Sequence, residues 1–125
     1  MLEDLVATLP KSFGLKEWIE EGDPAGEPHT DPPNVSYFWK VPSLPRRSGP
    51  GARLYVVYDG TLIGYSIISH IIQTPQGVFV VRPGGVRARD EAVTIPDRIP
   101  GFQGYRYRWW PRDKERPFPE WKDLA

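Results

Sequence analysis

Asp59-Gly60 lies between two apolar runs, Arg53-Leu-Tyr-Val-Val-Tyr58 before it and Thr61-Leu-Ile-Gly-Tyr-Ser-Ile-Ile68 after it. A type I′ turn needs positive φ at both central positions, and Asp-Gly takes that conformation at low cost, so the pair predicts an antiparallel hairpin over residues 53–72. Gly64 in the returning strand predicts a bulge or a close backbone approach, which lets a sheet bend toward closure. Thr74-Pro-Gln-Gly77 turns the chain into Val78-Phe-Val-Val81, apolar on both faces and therefore central in its sheet. Further strands are expected at 37–41, 86–89 with a continuation at 92–95, and 105–110. Turn-rich stretches at 42–51, 83–85 and 96–104 separate them.

The first 35 residues read differently. Leu2, Leu5, Val6 and Leu9 stand at i, i+3, i+4 and i+7, a one-sided stripe that predicts a helix ended by Pro10. A second helix is expected over 15–21, with Leu15, Trp18 and Ile19 on one face and Gly22 as its stop. Pro24, Pro28, Pro32 and Pro33 then predict an extended connection. The layout is one domain: a helical segment 1–22, a Pro-rich connection 23–35, a barrel 36–110, and a tail 111–125 packed through Phe118 and Trp121. The fold class is mainly β (α+β), with five or six strands in a small barrel or strongly coiled sheet whose helices close an end or cover an edge. No helix–strand alternation follows residue 36, which disfavours a doubly wound parallel sheet.

A chain of 125 residues suits one core, and 39% apolar residues supply it. No apolar run approaches the ~18 residues of a spanning helix, so no membrane association is expected. The N-terminus carries acid where a secretory signal carries base. The sequence has no cysteine, which removes disulfides, thiolate metal sites and cysteine nucleophiles. Together these features read as cytoplasmic. The formal net charge of +0 conceals a polarity: residues 1–33 hold two basic and eight acidic side chains, residues 34–116 thirteen basic and six acidic. Arginine outnumbers lysine eleven to five. That bias fits either bidentate recognition of phosphate or carboxylate, or the coding and heat-adaptation bias of a thermophile, to which the 15 prolines also point.

Leu54-Tyr-Val-Val-Tyr-Asp-Gly60 with Gly64-Tyr-Ser-Ile67 resembles the strand, Asp-Gly, strand, Gly-Tyr hairpin of PUA-like proteins, the superfamily that includes the ASCH and EVE domains. Gly101-Phe-Gln-Gly-Tyr-Arg-Tyr-Arg-Trp-Trp110 is similar to the terminal strand of small bacterial members. The resemblance covers about half the chain, and implies a pseudo-barrel and RNA or modified-base binding. One ASCH branch is similar to an amidohydrolase acting on acetylated cytidine through a Gly-x-Lys-x-x-Thr-x-Arg-like segment, and no such segment occurs in this sequence.

Strand alternation places Tyr105, Tyr107 and Trp109 on a core face and Arg106, Arg108 and Trp110 on the other. The second set is either a basic stripe that holds phosphates and stacks a base, or an exterior face whose arginines pair with the acidic N-terminal segment while Trp110 packs under the tail. Arg82 and Arg87 flank a glycine turn that is either an anion nest or a plain hairpin turn. Arg46 and Arg47 add cations in a Pro/Gly loop. Trp39 and Tyr65 are further candidates for a groove wall. Glu27, His29 and Asp31 give too few donors for a metal shell without a thiol, so neither metal nor cofactor is expected. His70, within an apolar strand, reads as a satisfied barrel histidine rather than a base.

The leading expectation is a binding module for RNA or modified nucleotides, monomer or homodimer. Its groove is drawn from Arg46, Arg47, Arg82, Arg87, Arg106 and Arg108 with Trp39, Tyr65 and Trp110. The enzyme alternative is a small ASCH-type hydrolase, for which Lys40, Glu17 and His70 are the only acid–base groups to nominate. A protein-interaction domain using exposed aromatics is the third.

Overall fold

The computed structural model describes residues 2–9, 37–82, 91–118 and 120. Among them the strands are β1 (Leu5–Leu9), β2 (Tyr37–Val41), β3 (Arg53–Tyr58), β4 (Thr61–Ile67), β5 (His70–Thr74), β6 (Gly77–Arg82), β7 (Val93–Thr94), β8 (Tyr105–Tyr107) and β9 (Arg116–Pro117). A single 3-10 turn, Arg112–Lys114, precedes β9. The strands form a mixed sheet in the order β4-β3-β1-β8, an antiparallel sheet in the order β2-β6-β5, and the short pair β7-β9. The expected second helix, the Pro-rich connection and the strand at 86–89 lie outside the described residues.

The helix expected over residues 2–9 is corrected to a strand. β1 runs parallel to β3, with Leu5 opposite Leu54 and Leu9 opposite Tyr58, and antiparallel to β8, with Leu5 opposite Tyr107. It lies inside its sheet, and the sheet is covered on both faces. Leu5 and Ala7 join Leu54, Val41, Val78 and Val80 in one cluster, which places the β2-β6-β5 sheet against this face. Val6 joins Tyr55, Val57, Leu62, Ile95, Ile99 and Trp110 on the opposite face. A strand buried on both sides is apolar at almost every position, so a 3.6-residue stripe can be drawn through it as easily as a period of two. Partners far along the chain decide between the two, and no local pattern reports them.

The hairpin forms as expected at its turn. Asp59 (φ 50°) and Gly60 (φ 80°) both take positive φ. The bulge is present as well: Val56 pairs with Gly64 but Val57 pairs with Leu62, leaving Ile63 extra, and Gly64 carries a φ of 152°. The returning strand is shorter than expected, because residues 61–72 do not stay in one sheet. Ile68 exchanges backbone hydrogen bonds with residues 51 and 52, and the Ser69 amide donates to the Val81 carbonyl. The chain thus leaves the first sheet after Ile67 and enters the second at His70, a corner that joins the two layers.

β6 is hydrogen-bonded on both sides, as its apolar sequence requires. The expected barrel is corrected too: the sheets of the described residues remain three and do not close. Only Val93 and Thr94 of the expected strand at 92–95 pair, and their partners are Pro117 and Arg116 of the tail. Phe118 packs on Leu9, Val56, Ile63 and Ala92, as the tail reading required. Trp121 lies outside the described residues. Among the described residues no helix is long and apolar enough to cross a membrane.

Candidate nucleic-acid interface

β8 ends at Tyr107, three residues earlier than the strand expected over 105–110, and the reason is electrostatic. Asp4, just before β1, is 3% exposed and must find partners for a buried carboxylate. It accepts the Arg53 amide at 2.9 Å, Arg108 Nε at 2.9 Å and Arg112 NH2 at 2.9 Å. The Arg108 amide also donates to the Asp4 carbonyl at 2.9 Å. Burial opposes ionisation of Asp4, but the Arg53 amide and the Arg112 and Arg108 guanidinium groups outweigh it and hold the carboxyl below its ordinary pKa.

Glu115 makes a second knot beside the first. It accepts the Tyr55 hydroxyl at 2.6 Å, Trp110 Nε1 at 2.9 Å and Arg53 NH1 at 3.3 Å. Arg53 lies 4.1 Å from the Tyr65 ring centroid and donates to the Tyr55 hydroxyl at 2.9 Å. Burial, and then the hydrogen bond to Glu115, push the Tyr55 phenol well above its ordinary pKa. These two carboxylates fasten residues 108–115 to the end of the β3-β1 pair.

The arrangement redistributes the candidate residues. Trp110 is 3% exposed and packs edge-on against Tyr55 at 5.2 Å, so its ring offers no face to a ligand. Trp109, expected in the core, is 52% exposed and rests edge-on against Trp110 at 5.0 Å. Alternation holds only while the strand lasts. Once Arg108 turns to reach Asp4, the parity of the two tryptophans is reversed. Tyr65 is buried beneath Arg53. Arg82 is buried with its guanidinium 5.9 Å from the Trp39 centroid, and Trp39 itself packs between two core clusters.

Three candidates lie along β8, on its two faces: Arg46 and Arg47 beside Tyr107, and Arg106 on the opposite side beside Phe102. Arg106 is exposed and lies 4.7 Å over Phe102. Arg47 lies 4.0 Å over Tyr107, accepts the Glu3 amide with its carbonyl, and pairs with Glu3 at 3.1 Å. Arg46 is exposed next to it. The β8 edge therefore carries Arg47 on Glu3 with Arg46 beside it at one face, Arg106 at the other, Arg108 and Arg112 on Asp4, and the half-exposed Trp109 beyond its end.

The acid–base candidates do not converge. His70 is exposed at the start of β5, where an inward barrel position was expected. Lys40 faces the same side of the second sheet, but its side chain runs over Gly77, at the end of β6 remote from the His70 partner Val81. Glu17, Arg87, Glu27, His29 and Asp31 lie outside the described residues. No three His, Asp or Glu side chains cluster among the described residues.

Sequence reasoning missed Asp4, Glu115, Trp109 and the exposed Phe38. The signal for Asp4 is its place immediately before an apolar run, where a carboxylate can become a buried anchor. A comparison of the chain with family models, with curated proteins and with solved structures finds no match.

Proposed function

We propose that the protein is a binding module of PUA-like type for RNA or modified nucleotides, and that it engages its ligand along the β8 edge. The observation that carries this reading is the half-exposed Trp109 at the end of an arginine-lined edge. Aromatic stacking and phosphate contact are the two chemistries a single-stranded nucleic acid needs, and stacking contributes ~1–3 kcal/mol per base. Asp4 is occupied by Arg108 and Arg112, which leaves Arg46, Arg47 and Arg106 outside that knot as phosphate contacts. The hairpin resemblance supports the same class of ligand.

The test is equilibrium binding of single-stranded RNA across a salt series. Affinity should fall linearly on logarithmic axes, and joint replacement of Arg47 and Arg106 by alanine should reduce the slope by about two phosphate contacts. Trp109→Ala should weaken binding by ~1–3 kcal/mol while lowering stability by no more than about 1 kcal/mol, since the ring is half-exposed and leans on Trp110. Absence of binding at low salt, or binding indifferent to all three side chains, overturns the proposal.

A further inference from the structure

Arg46 and Arg47 are the central residues of a turn that the Ser48 amide closes on the Pro45 carbonyl at 3.1 Å. An arginine on a surface loop ordinarily samples many rotamers, and a ligand that fixes it must offset the lost entropy. Arg47 is instead held at four points. Its amide donates to the Tyr107 hydroxyl at 3.1 Å, and its carbonyl accepts the Glu3 amide at 2.7 Å. Its guanidinium lies over the Tyr107 ring, 4.0 Å from the centroid, and its Nε meets the Glu3 carboxylate at 3.1 Å. The side chain is nevertheless 63% exposed. An exposed ion pair adds little to stability, so stability alone gives no reason to orient this guanidinium.

We infer that Glu3 is a positioning residue for the ligand: with the Tyr107 ring as a floor, it engages Nε and sets the Arg47 guanidinium so that its terminal nitrogens meet a backbone phosphate already oriented. This rests on the nucleic-acid reading above and adds to it a reason for an acidic side chain at a site for a polyanion. A planar guanidinium grips phosphate through paired N–H donors, and one fixed beforehand loses less freedom on binding. Charge alone makes the opposite demand. Glu3 repels a polyanion, so if it did nothing for Arg47 its removal would strengthen binding. The sign of the effect therefore separates positioning from simple electrostatics.

The experiment measures fluorescence anisotropy of fluorescein-labelled oligouridylate with the full chain at one salt concentration, comparing wild type, Glu3→Ala, Arg47→Ala, Arg47→Lys and the double variant Glu3→Ala with Arg47→Ala. Glu3→Ala should weaken binding about three- to tenfold while Arg47 is present. In the Arg47→Ala background the same change should strengthen binding, because only the repulsion is then removed. Arg47→Lys keeps the charge but not the planar fork, and should lose nearly as much affinity as Arg47→Ala. The thermal midpoint of Glu3→Ala should stay close to wild type, since the pair is exposed. If Glu3→Ala strengthens binding, or leaves it unchanged, with Arg47 present, the positioning role is overturned. It is equally overturned if Glu3→Ala weakens binding in both backgrounds. In each of these cases the β8 reading survives provided that Trp109→Ala is impaired. If the wild type does not bind the oligonucleotide at low salt, both fall.

Discussion

Replacing Ala7 by glutamate is expected to abolish folding, while the same change at Leu2 is tolerated. Ala7 is fully buried in β1, opposite Val56 on one side and Tyr105 on the other, and packs with Leu5, Leu54, Val41, Val78 and Val80. A glutamate there overfills a close-packed layer and buries a carboxylate without a partner. The combined cost of about 5 kcal/mol or more is comparable with the whole stability of a small domain, ~5–15 kcal/mol. Leu2 is 50% exposed, so a glutamate there keeps its carboxylate in water. In a surface helix the outcome would be reversed, because Leu2 belongs to the apolar stripe and Ala7 does not. Circular dichroism and urea unfolding of the two variants decide it. A folded Ala7→Glu protein with near-native stability contradicts the central position of β1.

Asp4→Ala is expected to lower stability by about 3 kcal/mol, the scale for removing one partner of a buried ion pair, moderated by the partial exposure of both arginines. The variant strands the Arg53 amide and removes the acceptor shared by Arg108 and Arg112. Asp4→Asn retains an acceptor for the amide and costs less. The knot also has a pH signature. A carboxyl whose folded pKa lies below its unfolded value contributes its full stability above the unfolded value, about 4, and loses it as pH falls through the folded one. Wild-type stability should therefore drop below about pH 4, with that component missing in Asp4→Asn. Tyr55 acts at the other end of the scale. Its raised phenol pKa gives stability that is complete below the unfolded value, about 10, and declines above it. Urea midpoints measured across pH check both limbs. An Asp4→Ala midpoint equal to wild type at neutral pH contradicts the account of the knot.

What the sequence revealed follows from which interactions are local. The Asp59-Gly60 turn, the Gly64 bulge, the Thr74–Gly77 turn and the central position of β6 all depend on a few adjacent residues, and all four are found. β1 does not declare itself locally, because its character is set by β3 and β8, whose paired residues lie 49 or more positions away. The exchange of Trp109 and Trp110 has the same origin. The alternating pattern was legible, but the point where it stops is set by Asp4, more than a hundred residues earlier. The arginine-rich character of the β8 segment was legible from composition, and pairing with the acidic N-terminal segment was one of its two readings. Arg108 adopts that pairing, as Arg47 does through Glu3, while Arg106 keeps its guanidinium group over Phe102 near solvent. Phe38 escaped notice because a five-residue apolar strand does not declare which of its two faces is covered.

The most direct test of the proposed function is an amide and indole NMR titration of the full chain with single-stranded RNA. The account predicts that the Trp109 indole and the backbone amides of Arg47, Arg106 and Tyr107 shift together and saturate at one affinity. Resonances of residues 5–7 and 54–57, all buried, should stay nearly fixed. A titration that saturates with the Trp109 indole and the β8 amides unmoved, or one in which no resonance moves at low salt, contradicts it.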